Sequence, residues 1–156
     1  MGSREIDTLG RLHTDAIDAM NGYGEALKDS DGRSLFILFQ QMHTFHREAA
    51  AELSDELRGL GAKAESTGSL MSIVHESIMK LRSLVGGLDA SVLPGLIDGE
   101  KRTLDQYDSA LKDGGLQPSS MTVVARQRDK LAGAIAAMQS ASREKDKDHA
   151  SAAGSR

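Results

Sequence analysis

Apolar residues return every three or four positions along most of this chain, in blocks separated by glycine, proline, serine and aspartate. The first block carries Ile6, Leu9, Leu12, Ala16, Met20, Tyr23 and Leu27. That spacing traces one face of a helix with 3.6 residues per turn, not the alternation of a strand. The run Asp29-Ser30-Asp31-Gly32 breaks it, and Leu35, Leu38, Met42, Phe45, Ala49, Leu53, Leu57 and Leu60 form a second stripe. Gly59 and Gly61 then stand where a left-handed turn can close the helix. Ser69 is placed to cap a further helix with Leu70, Ile73, Val74, Ile78, Leu81 and Leu84. Gly86-Gly87 interrupts that segment, so 69–88 is either a separate helix or part of one bent helix. Leu93, Leu96, Ile97, Glu100, Leu104, Tyr107 and Leu111 mark the next long helix, with Pro94 tolerable in its first turn. After Asp113-Gly114-Gly115 and Pro118-Ser119-Ser120, the last helix carries Val124, Gln127, Leu131, Ile135 and Met138 in register.

The pattern predicts an all-α bundle over 5–141, with helix content above about 65% where roughly 30–35% is ordinary. Residues 142–156 alternate charge and lack apolar anchors, which predicts a disordered charged tail. A length of 156 residues suits one core, and 39% apolar with 27% charged residues is ordinary for a globular chain.

Composition narrows the chemistry. Without cysteine, thiolate nucleophiles and disulfides are excluded, and any metal must be held by His, Asp or Glu. A net charge of −4, three Phe, two Tyr and no Trp argue against a nucleic-acid partner. No segment approaches the roughly 20 apolar residues that cross a bilayer, so stable membrane insertion is not expected. The N-terminus lacks the charged-then-apolar pattern of a secretory leader, and a cytoplasmic location is expected.

A weak internal repeat organises the helices. Tyr23-Gly24-Glu25-Ala26-Leu27-Lys28-Asp29 matches Tyr107-Asp108-Ser109-Ala110-Leu111-Lys112-Asp113 at five of seven positions, an offset of 107 − 23 = 84 residues. The offset lays helix one on the helix around Glu100 and helix two on the last helix, as two hairpins joined by a long crossover. It also pairs Ala16 with Glu100, His43 with Gln127 and His46 with Lys130.

These positions resemble the ferritin-like superfamily, and within it a bacterial four-helix-bundle family of uncharacterised function, from about Leu9 to Met138. The resemblance rests on Glu100 seven residues before Tyr107, the same spacing from Ala16 to Tyr23, Gly68-Ser69-Leu70, His75, and Asp98-Gly99-Glu100. It implies a ferritin-like four-helix bundle of two helical hairpins with a long, partly helical crossover. It also implies two irons held by a Glu on each of two helices and a Glu-x-x-His on each of the others. The chain departs from that set: it has His43-Thr44-Phe45-His46 on one helix, Gln127-Arg128-Asp129-Lys130 on another, and Ala16 where a ligand belongs. One carboxylate cannot bridge two irons.

Two readings of the interior follow. Glu100 lies in an apolar register, where an inward carboxylate needs a partner. The preferred partners are Tyr23, Tyr107, Gln127, Lys130 or a histidine in a buried polar network. Alternatively His43, His46 and Glu100 hold a single Fe or Zn ion. Asp15 and Asp18 flank Ala16 on the predicted solvated side, and His13 is expected to pack in the core. The expected function is a non-catalytic, stress-linked interaction scaffold with an eroded di-iron site and no cofactor. The alternative is a metal-binding or ferroxidase-like protein with a reduced single-metal site. An apolar strip on the connector, 70–88, would suit a homodimer.

Overall fold

The computed structural model describes residues 2–28, 33–62 and 92–153. They form four helices and, among the described residues, no strand: α1 (Gly2–Lys28), α2 (Arg33–Gly59), α3 (Leu93–Asp113) and α4 (Pro118–Ala153). The turn expected at 29–32 and the connector expected over 69–88 lie outside the described residues.

The boundaries follow local chemistry. At the end of α2 the Gly61 and Ala62 N–H groups donate to the Arg58 and Leu57 carbonyls at 3.0 and 2.9 Å. Gly61 has φ +80°, a conformation in which a side chain would crowd its own backbone. Leu57 is buried and Ala62 packs against the same core, which completes the apolar half of this motif. Pro94 sits in the first turn of α3, where its missing N–H has no helical acceptor to lose.

α1 packs most extensively on α2 and α3 on α4, and the two hairpins meet α1 to α3 and α2 to α4. The start of α1 reaches the α3–α4 turn, where Thr8 Oγ1 donates to the Gly114 carbonyl at 3.3 Å. Near its end, Tyr23 reaches Glu100, in the first half of α3, so α1 and α3 run antiparallel. A Cβ on Gly114 would meet Ala110 O and lie 2.9 Å from Thr8 Cγ2, so glycine there sets how closely the hairpins approach. Glu5, only 1% exposed, accepts from the Gln117 N–H at 2.9 Å and thereby holds the residue that precedes α4. At the other hairpin pair, Glu56 on α2 accepts from the Ser119 and Ser120 hydroxyls at 3.1 Å, placing a carboxylate at the positive end of α4.

The core contains Leu9 and Leu12 of α1, Phe39, Met42, Leu53 and Leu57 of α2, Leu93 and Ile97 of α3, and Val124, Leu131, Ile135 and Met138 of α4. Ala16, Ile17, Ala49 and Ala50 form a smaller cluster. The α4 stripe is buried as its periodicity predicts. In α2 the buried line instead takes Phe39 and His46, and leaves Leu38 and Phe45 at its margin. The expected boundary at 142 falls inside α4, whose helical backbone continues to Ala153 where a disordered tail was anticipated. Arg, Glu, Lys and Ala are good helix formers, so that segment needs no apolar anchor to extend a helix already nucleated.

Candidate interior polar site

Three helices bring their polar side chains to one buried point. Glu100 Oε1 accepts from Tyr23 Oη at 2.6 Å and contacts His46 Nε2 at 3.0 Å. The His46 and Glu100 side chains are 1% and 6% exposed. A carboxylate only accepts, so the contact with that form of Glu100 uses the His46 tautomer that carries its proton on Nε2. The Tyr23 ring stacks on His46 with centroids 5.8 Å apart and planes 12° from parallel, and Phe45 meets the imidazole edgewise at 4.9 Å. Burial, and then the Glu100 carboxylate beside it, push the Tyr23 phenol well above its usual range. Tyr23 is therefore held as a neutral donor.

A second arm ties α4 to α2 and α3. Tyr107 Oη donates to Gln127 Oε1 at 2.9 Å, while Gln127 Nε2 donates to the Ala49 carbonyl at 3.3 Å and to Glu52 Oε1 at 3.4 Å. Glu52 also pairs with Arg126. Burial chiefly raises the Tyr107 phenol, with Glu100 and then Asp15 adding to it. Tyr23 finds Glu100; Ala16, which the 84-residue offset pairs with Glu100, is a buried methyl that accepts nothing. Tyr107 bonds Gln127 instead.

The expected network thus includes Tyr23, Glu100, His46, Tyr107 and Gln127, and excludes Lys130, which is exposed. Val124, Gln127, Leu131, Ile135 and Met138 centre the buried face of α4, and Lys130 lies about 100° from that centre at 100° per residue. His43 also stands apart. It is half-buried and faces Gly24 of α1, where an added Cβ would lie 3.6 Å from its Cδ2 and Nε2. Burial, with Arg47 and His46 nearby, lowers the His43 imidazole. Of His43, His46 and Glu100, only the last two meet. Among the described residues no three His, Asp or Glu side chains gather as a group that could hold a metal ion. The described donor set, with one carboxylate and one histidine in contact, therefore does not fit two bridged irons.

Two acids depart from expectation. Asp18 is 7% exposed and Asp15 half-buried, although the helical wheel places both on the polar side. The wheel argument assumes one covered face, and α1 buries His13, Ile17 and Asp18 beyond its stripe. Burial raises the Asp18 carboxyl, and its Oδ1 lacks a hydrogen-bond partner among the described residues. Asp15 is raised by burial and by Asp18, against Arg11 and His46, which lower it. Glu100 Oε2 is the other buried side-chain oxygen without a hydrogen-bond partner among the described residues. His13 is buried, as expected, and its imidazole is lowered by that burial.

Fold and site together define an all-α bundle whose four described helices are joined by buried polar contacts at mid-bundle. The profile of the domain of unknown function DUF2383 matches residues 4–113, from α1 through the end of α3, and the chain belongs to that family. No curated protein matches the chain at a meaningful level. No helix among the described residues is long and apolar enough to cross a membrane.

Proposed function

We propose that this chain is a ferritin-like bundle in which a hydrogen-bonded network stands where the superfamily holds two irons, and that it acts without catalysis, as a scaffold for protein contacts. The observation that carries the reading is Glu100 Oε1, which receives both Tyr23 and His46 at 2.6 and 3.0 Å inside the core. A carboxylate already engaged by a phenol and an imidazole has that oxygen committed, and His46 gives the same ring nitrogen to the bond rather than to a cation. Phe36 and Ile37, 43% and 46% exposed on successive positions of α2, supply apolar surface for a protein contact. The link to stress follows from the resemblance alone.

One observation favours the rival reading, a single Fe or Zn ion with His46 and Glu100 among its ligands: Glu100 Oε2 is buried without a hydrogen-bond partner among the described residues, an oxygen a cation could take. Thermal unfolding of tag-free protein with Zn²⁺ or Fe²⁺ separates the two. Ligand-linked stabilisation follows RT ln(1 + [L]/Kd), about 2.7 kcal/mol at a hundredfold excess over Kd. The scaffold reading expects no saturable metal-dependent shift. A shift in the parent that disappears in both Glu100→Gln and His46→Ala would replace it with the single-metal reading.

A further inference from the structure

At the end of the bundle away from Glu100, α1 and α3 enclose a pocket of about 170 Å³ beside the α3–α4 turn. Arg4, Thr8 and Arg11 line it from α1, and Gln106, Ser109 and Asp113 from α3. Arg4 and Arg11 are seven residues apart, close to two full turns, so both stand on one side of α1 at about 10 Å separation along the axis. On α3, Gln106, Ser109 and Asp113 follow at intervals of three and four and share a face in the same way. Thr8 between the arginines is buried and spends its hydroxyl on Arg4 O and Gly114 O at 2.9 and 3.3 Å, so it shapes the floor rather than offering a free donor.

The balance of donors and acceptors is uneven. Arg4 and Arg11 are exposed, and among the described residues neither forms an ion pair within 4 Å, whereas Arg58, Arg126 and Arg128 are each paired with a carboxylate. The residues that line the pocket include two arginines, a serine and a glutamine, against one carboxylate residue, Asp113. Asp15, one turn beyond Arg11, offsets part of that arginine's field. Guanidinium groups match the planar, paired oxygens of oxyanions. A single carboxylate at the edge suits a hydroxyl on the same ligand.

We propose that this pocket binds a small oxyanion, of the phosphate or hydroxycarboxylate class, with Arg4 and Arg11 as its anchors. The site is separate from the interior network and does not depend on the reading given for it.

Amide and arginine side-chain NMR spectra of the full chain, titrated with inorganic phosphate and separately with citrate at ionic strength matched by chloride, test it. The expected result is a saturable shift confined to Arg4, Arg11, Ser109 and their neighbours, with at least one of the two probes binding at a Kd below about 1 mM. Phosphate alone or citrate alone would identify the oxyanion class. Arg4→Gln/Arg11→Gln should weaken binding at least about tenfold, and Arg58→Gln, at a residue that is paired with Asp55 and does not line the pocket, should titrate like the parent. Matched shifts with chloride, or binding that survives the double substitution in a protein with an unchanged helical spectrum, would overturn the proposal.

Discussion

One oxygen of Glu100 is bonded twice and the other has no partner among the described residues, and that asymmetry decides what its replacement should do. Glu100→Gln keeps an acceptor for the Tyr23 hydroxyl and removes the buried charge, so it should cost less than about 1 kcal/mol. Glu100→Leu is similar in size but strands the Tyr23 phenol and His46, and should cost on the order of 1–3 kcal/mol in urea unfolding. Equal losses in the two variants would show that volume, not hydrogen bonding, holds this position. Asp18 is a second buried carboxyl with one oxygen that has no hydrogen-bond partner among the described residues. Its value in the fold is raised above the ordinary 3.8, so the folded chain holds the proton more tightly than the unfolded chain. Stability linked to Asp18 is therefore fully present below pH 3.8 and falls as pH rises through the raised value. Asp18→Asn should increase stability near pH 7, by on the order of 1 kcal/mol, and confer little benefit near pH 3. His13 and His43, lowered by burial, act in another window: their contribution is lost as acidification protonates them below 6.5. Comparing parent and Asp18→Asn across pH cancels that shared histidine slope. A pH-independent difference would show that Asp18 does not titrate as its burial requires.

At the scale of elements, helix ends hold the two hairpins in register. Gly61 adopts φ +80° to let two N–H groups reach back to α2 carbonyls, and Gly61→Ala should cost about 1 kcal/mol through the left-handed conformation alone. Glu5 reaches from the first turn of α1 to the residue before α4, so Glu5→Ala should cost on the order of 1–3 kcal/mol while Glu5→Gln, which keeps a carbonyl acceptor, costs less. Amide exchange should quicken first in the opening turn of α4. Unchanged exchange there would show that Pro118 and the Glu56 contacts suffice to start that helix. Only the second device ties segments far apart in sequence, and for that reason only the first was legible. The glycine and its turn follow from composition, whereas no periodicity indicates that Glu5 finds Gln117.

For the molecule as a whole, removing 143–156 should move the melting temperature by less than about 4 °C, roughly 1 kcal/mol in a domain of this size, because Arg143 and Glu144 are already exposed where the segment begins. A larger fall would place the end of α4 among the stabilising contacts. The sequence by itself determined the class of fold, since 3.6-residue periodicity together with Gly and Pro breaks leaves little but helices packed along apolar stripes. It also determined that Glu100, His46, Gln127 and both tyrosines face inward, because their positions lie in or beside those stripes. Which polar group meets which was decided only by the tertiary structure. Hydrogen bonds depend on tenths of an ångström and on the rotation of each helix about its axis. A rotation of less than one residue's 100° separates His46 at Glu100 from His43 at Gly24, and Gln127 in the core from Lys130 in solvent. The burial of Asp18 was out of reach for the same reason: a helical wheel reports which face is apolar, and only the packed molecule reports how many faces are covered.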